Sequence, residues 1–280
     1  MVISELVRET ASRLTDNARF EAEQIVMHAL HITRTQLITG GKTEVSERDI
    51  NTANKMTDRR VNGEPLQYIL GECEFMSLPF YVESGVLIPR ADTETLVETV
   101  IEAAKPDARI IDICCGSGCI GISLAHFLKD ANVTLIDISD KAIEVTEKNI
   151  GLNGVSDRAE VKRLDILTDI PDEKFNIIIS NPPYIETAVI DKLQTEVKDF
   201  EPHLALDGGG DGLMFYRRIT DIAPKMLLEN GILAFEIGFD QGEAVKELMK
   251  NNFEEIKIIK DLAGNDRVVI GILSLQIKSQ

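Results

Sequence analysis

One junction constrains the fold of this chain more than any other. The β-branched run Ala108-Arg109-Ile110-Ile111-Asp112-Ile113 passes straight into Cys114-Cys115-Gly116-Ser117-Gly118-Cys119-Ile120-Gly121, and a helical pattern follows from Ile122 to Leu128. Roughly twenty residues on, a second strand, Val133-Thr134-Leu135-Ile136, ends in Asp137, the spacing of a βαβ unit. A further helix, Lys141 to Asn153, begins after Ser139-Asp140 in capping position. The layout is that of a nucleoside site. Gly116 and Gly118 let the backbone turn tightly and approach a ligand, and a carboxylate closing the next strand can accept both ribose hydroxyls.

Gly116-Ser117-Gly118-Cys119-Ile120-Gly121 also matches the dinucleotide fingerprint, so an NAD-dependent enzyme is one reading. Against it, the acidic Asp112 stands ahead of the first glycine, where a pyrophosphate would be repelled and a cationic amino group welcomed. A second loop sharpens the choice. The apolar run Phe175 to Ser180 ends in Asn181-Pro182-Pro183-Tyr184. Two prolines remove two backbone donors and hold the loop extended. The Asn181 side-chain oxygen beside the Pro182 carbonyl makes a pair of acceptors suited to the two N–H bonds of one planar amino or amide group, with Tyr184 able to cover its face. A rigid turn is the plain alternative. Glycine loop and Asn-Pro-Pro-Tyr loop together point to methyl transfer from S-adenosylmethionine.

With these segments the chain resembles the class I S-adenosylmethionine-dependent methyltransferases of the release-factor glutamine N5-methyltransferase (HemK/PrmC) family. The resemblance covers nearly the whole chain. It includes Glu64-Pro65-Leu66-Gln67-Tyr68-Ile69-Leu70-Gly71, Glu74-Phe75, Val86 to Arg90, Asp92-Thr93-Glu94, both loops, Glu201-Pro202, Ala205 to Gly209, Asp211-Gly212-Leu213, Tyr216-Arg217 and Asp266 to Val269. The chain departs from the family pattern at Cys114-Cys115, usually Gly-Thr, and at Ala91, usually proline.

The resemblance implies S-adenosylmethionine as cofactor and, as substrate, the glutamine of the Gly-Gly-Gln motif in peptide chain release factors. Asn181, Pro182 and Tyr184 are then the catalytic residues, with Pro183 completing the substrate loop. Asp112, Cys114, Cys115, Gly116, Ser117 and Gly118 bind the cofactor, Gly116 and Gly118 at its methionine portion; Asp137 binds the ribose, and Asp165 with Ile166 the adenine; Asn181 borders both ligands. Asp165 is equally readable as the cap of a turn. Thr93 and Glu94 are readable either as closing over the cofactor or as a helix N-cap with its acidic first turn.

Charge narrows the partner. Thirty basic against 47 acidic residues give a net charge of −17, which opposes phosphate neutralisation and favours a protein substrate. That weighs against adenine or guanine amino methylation, the chief rival for an Asn-Pro-Pro-Tyr loop. A ribosomal-protein glutamine methyltransferase and a non-enzymatic nucleoside sensor are further readings. The chain has no apolar run of the roughly 18 residues that a span needs and no basic leader, so a cytoplasmic protein without membrane contact is expected. Cys114, Cys115 and Cys119 cross the glycine loop without zinc-ligand spacing and read as buried thiols, with no metal. His28 and His31 share a helical face with no acidic ligands and read as packing or surface residues.

Three segments are expected. Residues 1–62 show three- and four-residue apolar spacing with Ser46 and Asp49 as a cap, a small helical bundle; substrate recognition is the role the resemblance implies for it. Residues 63–90 alternate apolar and polar and predict a linking β-hairpin. Residues 91–280 form the catalytic α/β domain, with a helix from Thr95 to Ala103. Strands are expected near 160–164, 175–180, 232–237, 256–260 and 267–275, in a mostly parallel sheet wound on both faces. The gap 261–266 is too short for a helical crossover, so the last strand must run antiparallel. With seven strands, this is the Rossmann-like methyltransferase fold that the resemblance implies.

Overall fold

The computed structural model describes residues 1–274. The chain divides into two compact units, Met1–Glu72 with Thr195–Phe200, and Cys73–Gln194 with the chain from Glu201 onward.

The first unit is helical: α1 (Ile3–Arg13), α2 (Ala18–Leu30), α3 (Arg34–Thr39), α4 (Glu47–Val61) and α5 (Leu66–Leu70). Leu6, Ile25, Val26 and Ala53 meet in its core with no exposed surface, each large side chain contributing about 1.5–3 kcal/mol. The expected cap is present: Ser46 Oγ accepts the Asp49 N–H at 3.2 Å. Thr33 and Gln36 cap α3 reciprocally. Arg60 ties Thr195–Phe200 into this unit by pairing with Glu21 at 2.8 Å and with Glu196 at 2.7 Å.

The linker differs from the expected hairpin over 63–90. Its first part is α5, because Pro65 leads into the helix and Gly71 ends it at φ 75°. Only β1 (Glu72–Phe75) and β2 (Leu78–Tyr81) pair. Met76 and Ser77 join them with φ of 52° and 59°, the two left-handed residues that a tight hairpin requires.

The second unit continues with α6 (Glu94–Ala103), β3 (Arg109–Ile113), α7 (Cys119–Phe127), β4 (Asn132–Asp137), α8 (Asp140–Leu152), β5 (Ala159–Arg163), β6 (Phe175–Ser180) and α9 (Thr187–Ile190). The short α10 (Thr195–Lys198) belongs to the first unit. Then come α11 (Met214–Met226), β7 (Leu227–Glu236), α12 (Gly242–Met249), β8 (Phe253–Lys260) and β9 (Asp266–Leu273). Strands β3 to β9 form one seven-stranded sheet in the order β5-β4-β3-β6-β7-β9-β8. Pairing is parallel from β5 to β7. As expected, β9 runs antiparallel to both its neighbours, and it does so inserted between β7 and β8. Of the span expected for this strand, Leu275 lies outside the described residues.

Alternate residues of the central strands enter different cores. Ile110, Ile177 and Ile179 pack with Leu96, Val97, Val100, Ile122 and Leu124 of α6 and α7. Ile111, Ile113 and Ile178 pack with Ile219, Ile222, Val245 and Met249 of α11 and α12. Burial on both faces fixes β3 and β6 as neighbours in register, Ile113 opposite Ser180. The glycine loop and the Asn-Pro-Pro-Tyr loop therefore leave the sheet side by side, at its carboxyl end.

Candidate active site

A cavity opens at the carboxyl ends of β3, β4 and β6. Its walls are Cys114 to Ser117 with Cys119 and Ile120, then Asp137 to Ser139, Leu164 to Leu167, and Asn181 with Pro183. Gly85 to Arg90, Thr93, Pro202, Leu204, Ala205 and Phe215 close the remaining side.

The glycine loop owes its shape to three left-handed residues, Cys114, Gly116 and Gly118, at φ 60°, 57° and 79°. At Gly116 only the conformation needs glycine, since a Cβ there would meet nothing within 4 Å and its face is open. At Gly118 space matters too: a Cβ would lie 2.8 Å from Thr146 Cγ2. Polar side chains from later elements hold the loop. Asp137 Oδ2 accepts the Gly116 N–H at 2.9 Å and Oδ1 the Ser139 N–H at 2.9 Å. Thr146 donates to the Gly116 carbonyl and Asn149 to the Ser117 carbonyl, at 3.0 and 2.9 Å. Asn149, fully buried, also exchanges both hydrogen bonds with the Tyr81 backbone, at 2.7 and 2.9 Å.

Asp137 stands where a ribose-binding carboxylate is expected, on the cavity wall. Burial raises its pKa and the backbone N–H groups of Ser139 and Gly116 oppose the rise. Asp112 differs from the expectation that it faces the ligand. It is fully buried behind the loop, away from the cavity wall, and its Oδ2 accepts the Gly121 N–H at 2.9 Å. Burial, with the Asp137 charge adding to it, pushes Asp112 up to about 8. The reason is the strand's alternation, which turns position 112 into the core shared with α7. Gly118 likewise supports the loop from behind. Asp165 joins both of its readings: it lines the cavity, and its Oδ1 accepts the Leu167 N–H at 2.9 Å. Ile166 gives the cavity an apolar wall.

The donor set fits an S-adenosyl nucleoside. A carboxylate follows β4, a carboxylate and apolar side chains follow β5, and the open Gly116 face lies between them. Cys114, Cys115 and Cys119 are neutral thiols there, burial pushing all three upward. Among the described residues no group of three or more His, Cys, Asp or Glu side chains is placed to hold a metal ion.

Beyond β6, Ser180 Oγ donates to the Ile113 carbonyl at 2.6 Å and locks the two strand ends together. Asn181 and Pro183 reach the cavity wall; Pro182 and Tyr184 do not. Asn181 Nδ2 lies 3.5 Å from Thr93 Oγ1. Thr93 makes no side-chain cap bond to α6, and it lines the cavity instead, whereas Glu94 accepts the Met76 N–H at 2.7 Å. Tyr184 is largely buried, its hydroxyl pushed up to about 12 by that burial, and its carbonyl accepts from Gln241 at 3.1 Å. The segment Asp207 to Gly212 presses on this loop. A Cβ at Gly208 would fall 2.7 Å from Tyr184 Cα, and one at Gly212 2.4 Å from the Tyr184 carbonyl oxygen.

Two groups at the site have roles that the reading of the sequence did not assign. Glu201, its side chain 1% exposed, takes Arg90 Nη2 on both carboxylate oxygens at 2.7 Å, and so fixes Arg90 beside the turn from Pro202 to Ala205. Glu236, the last residue of β7, is buried beside Thr93 and Asn181. A lone acid inside the apolar run Ile232 to Ile237 was its only sequence signal.

Comparison with known proteins agrees with this geometry. The family described as Methyltransferase small domain matches residues 90–210, and the PrmC N-terminal domain family matches residues 5–71. The release factor glutamine methyltransferase of Thermodesulfovibrio yellowstonii is 40% identical over 94% of this chain and 95% of its own. That of Clostridium acetobutylicum is 43% identical over 92% of each. In fold, the chain is similar to a methyltransferase from Pyrococcus furiosus, with a TM-score of 0.54 at 16% identity over 78% of this chain and 98% of the other. It is similar also to the M. jannaschii tRNA m1G37 methyltransferase, with a TM-score of 0.50 at 18% identity over 72% and 56%. With family matches in both units and relatives at this identity over more than nine-tenths of the chain, the chain belongs to the release factor glutamine methyltransferase family.

Proposed function

We propose that this protein methylates the side-chain amide nitrogen of the glutamine in the Gly-Gly-Gln motif of peptide chain release factors, with S-adenosylmethionine as methyl donor. The observation that carries the reading is Asn181, held at the end of β6 on the wall of the nucleoside-shaped cavity with its amide nitrogen beside Thr93. That orientation leaves Oδ1 to accept from a substrate.

An amide nitrogen is a weak nucleophile because its lone pair is delocalised into the carbonyl. When bound, S-adenosylmethionine supplies a methyl group already activated on a sulfonium. The chain's own task is then orientation. Asn181 Oδ1, on the cavity wall, accepts one N–H of the glutamine amide, and the Pro182 carbonyl, outside that wall, is the acceptor proposed for the second, so that the two fix the plane of the nitrogen. Orientation of this kind is worth up to about 7–11 kcal/mol. Both acceptors also favour the positive charge that develops on nitrogen, which is discharged when the methylated amide loses one N–H proton to solvent. A neutral Asn, unlike Asp, adds no ion pair that would stabilise the ground state equally. Tyr184 backs the loop, and Asp137, Ser117, Asp165 and Ile166 hold the nucleoside.

Pocket chemistry alone does not separate a glutamine amide from an adenine amino group, since both present a planar NH2. Remote contacts supply the choice. The helical unit is the proposed grip on the release factor, and it exposes Phe20 and Ile38, 52% and 73% accessible. The net charge of −17 supports a protein rather than a nucleic-acid substrate. Among the described residues no helix is long and apolar enough to cross a membrane, and a translation factor as substrate supports a cytoplasmic reaction. The test is to incubate the protein with labelled S-adenosylmethionine and, separately, a full-length release factor, its Gly-Gly-Gln glutamine replaced by glutamate, and total nucleic acid. Label on the intact factor alone is expected. Label on nucleic acid, with none on the factor, would overturn the reading.

A further inference from the structure

Sheet register brings an unassigned carboxylate to the acceptor loop. Ser180 pairs with Phe235 across β6 and β7, so the next residues, Asn181 and Glu236, leave the sheet as neighbours. On its other side Glu236 pairs with Val268 of β9, next to Arg267. Glu236 is 2% exposed, and among the described residues its Oε2 has no hydrogen-bond partner. A buried, unpartnered carboxylate oxygen is expensive to keep. Nothing in the packing of the sheet requires an acid at this position, where its neighbours Ala234, Phe235 and Ile237 are fully buried and apolar.

We propose that Glu236 is a positioning residue: its carboxylate, an acceptor only, stands with the Thr93 hydroxyl oxygen beside the Asn181 amide, so that Nδ2 is held inward and Oδ1 is left facing the substrate nitrogen. The inference rests on the functional reading above for what Asn181 does, but the geometry is independent of it. An Asn side chain has an acceptor and a donor end of nearly equal shape, and only the hydrogen-bond partners decide which end points where. An ionised carboxylate can accept and cannot donate. It therefore favours one of the two amide orientations, whereas a carboxylic acid or a carboxamide can satisfy either.

The charged and titratable groups around Glu236 come from five elements or loops. Asp92 stands beside Thr93 ahead of α6, Arg267 lies on β9, and Tyr184 is in the acceptor loop; Tyr216 of α11 and Cys119 of α7 complete the surroundings. Burial pushes Glu236 up to about 7; Thr93, Arg267 and Asn181 oppose the rise and Asp92 adds to it. Arg267 is itself held by Asp261 at 3.1 Å and Asp92 at 3.3 Å. The orienting carboxylate is thus present above about pH 7 and lost below it.

The test uses the full-length protein. In Glu236→Gln, single-turnover methylation of a saturating release factor should fall on the order of 10²-fold, the loss expected for a misaligned reacting group. Cofactor affinity and the KM for the factor should stay within a few-fold. The wild-type rate should rise with pH through about 7, and the Gln variant should lose that limb. Thr93→Val, which removes the other acceptor with little change of shape, should show a smaller fall, on the order of tenfold. A Gln variant with the wild-type rate, or one that keeps the pH limb, would overturn the proposal. A readout without substrate separates it from the functional reading: the side-chain amide proton signals of Asn181 in NMR should titrate near pH 7 in the wild type and stay flat in Glu236→Gln. Signals that are flat in both proteins would overturn the orienting role. Failure of the wild type to methylate any release factor would instead count against the function proposed above.

Discussion

The loop after β3 and the loop after β6 leave neighbouring parallel strands at the same end of the sheet, and they are built in opposite ways. The glycine loop is held from outside itself, its groups engaged by Asp137, Thr146 and Asn149. Glycine makes the shape possible, and long-range polar partners make it unique. The Asn-Pro-Pro-Tyr loop carries its stiffness within, in two prolines that cannot donate, and rests on glycines at 208 and 212 that let another backbone come close. A cofactor site benefits from groups that bind the same ligand in every turnover, so satisfied partners suit it. On the proposed reading an acceptor site must keep its acceptors for the substrate, and among the described residues the Glu236 carboxylate close to Asn181 has one oxygen, Oε2, without a hydrogen-bond partner.

Breaking each loop separately should expose this division. The largest effect is expected at Asn181. Asn181→Ala should lower single-turnover methyl transfer by several orders of magnitude, while calorimetry finds S-adenosylmethionine affinity within a few-fold of wild type. Comparable losses in both would mean that the two loops are not functionally separate.

Next is the pair that flanks the cavity. Arg90→Met removes the Arg90 guanidinium from the buried Glu201 carboxylate, and breaking a buried pair costs about 3–5 kcal/mol. Arg90 is itself 43% exposed, so the loss in urea unfolding should fall at or below that range. An unchanged midpoint would show that the pair contributes nothing to holding Val86 to Arg90.

On the cofactor side, Asp137→Ala should weaken S-adenosylmethionine binding by the equivalent of about 1.5–3 kcal/mol, the contribution of a charge-assisted hydrogen bond. The chemical step at saturating cofactor should change much less. Undiminished affinity in a folded variant would remove Asp137 from the nucleoside site. In the helical unit, Ile38→Asp should raise the KM for the release factor with kcat nearly constant; a change in kcat alone would argue against a gripping role.

A further effect is a pH dependence of stability. Asp112 keeps its proton to about 8 in the folded protein and loses it near 3.8 when unfolded. Its contribution to stability therefore falls as pH rises from about 4 to about 8 and is level above. Asp112→Asn should remove that component, so the difference in urea midpoint between variant and wild type should grow in the variant's favour from pH ~5 to pH ~8.5. A constant difference would mean that Asp112 is ionised throughout.

Much of this architecture was legible in the sequence because its causes are local. The strands Arg109 to Ile113 and Phe175 to Ser180 announce themselves as apolar runs, the caps at Ser46 and Ser139 stand next to their helices, and the short span 261–266 dictates a reversed strand. What escaped has non-local causes. Glu201 lies 111 residues from Arg90, and Asn149 is 68 from Tyr81 and 32 from Ser117; no spacing rule joins such partners. Asp112 was placed in the site from its position beside the loop, but the two-residue alternation of β3 turns it into the core. The helix at Leu66 to Leu70 was hidden because five residues between Pro65 and Gly71 are too few to show a helical period.

The methylated atom is read by tandem mass spectrometry of a full-length release factor after incubation with this protein and S-adenosylmethionine. One added methyl group is expected, located on the side-chain nitrogen of the Gly-Gly-Gln glutamine, and none when Asn181→Ala replaces the wild type. A methyl group on any other residue, or on that glutamine at an undiminished rate with the Asn181→Ala variant, would contradict it.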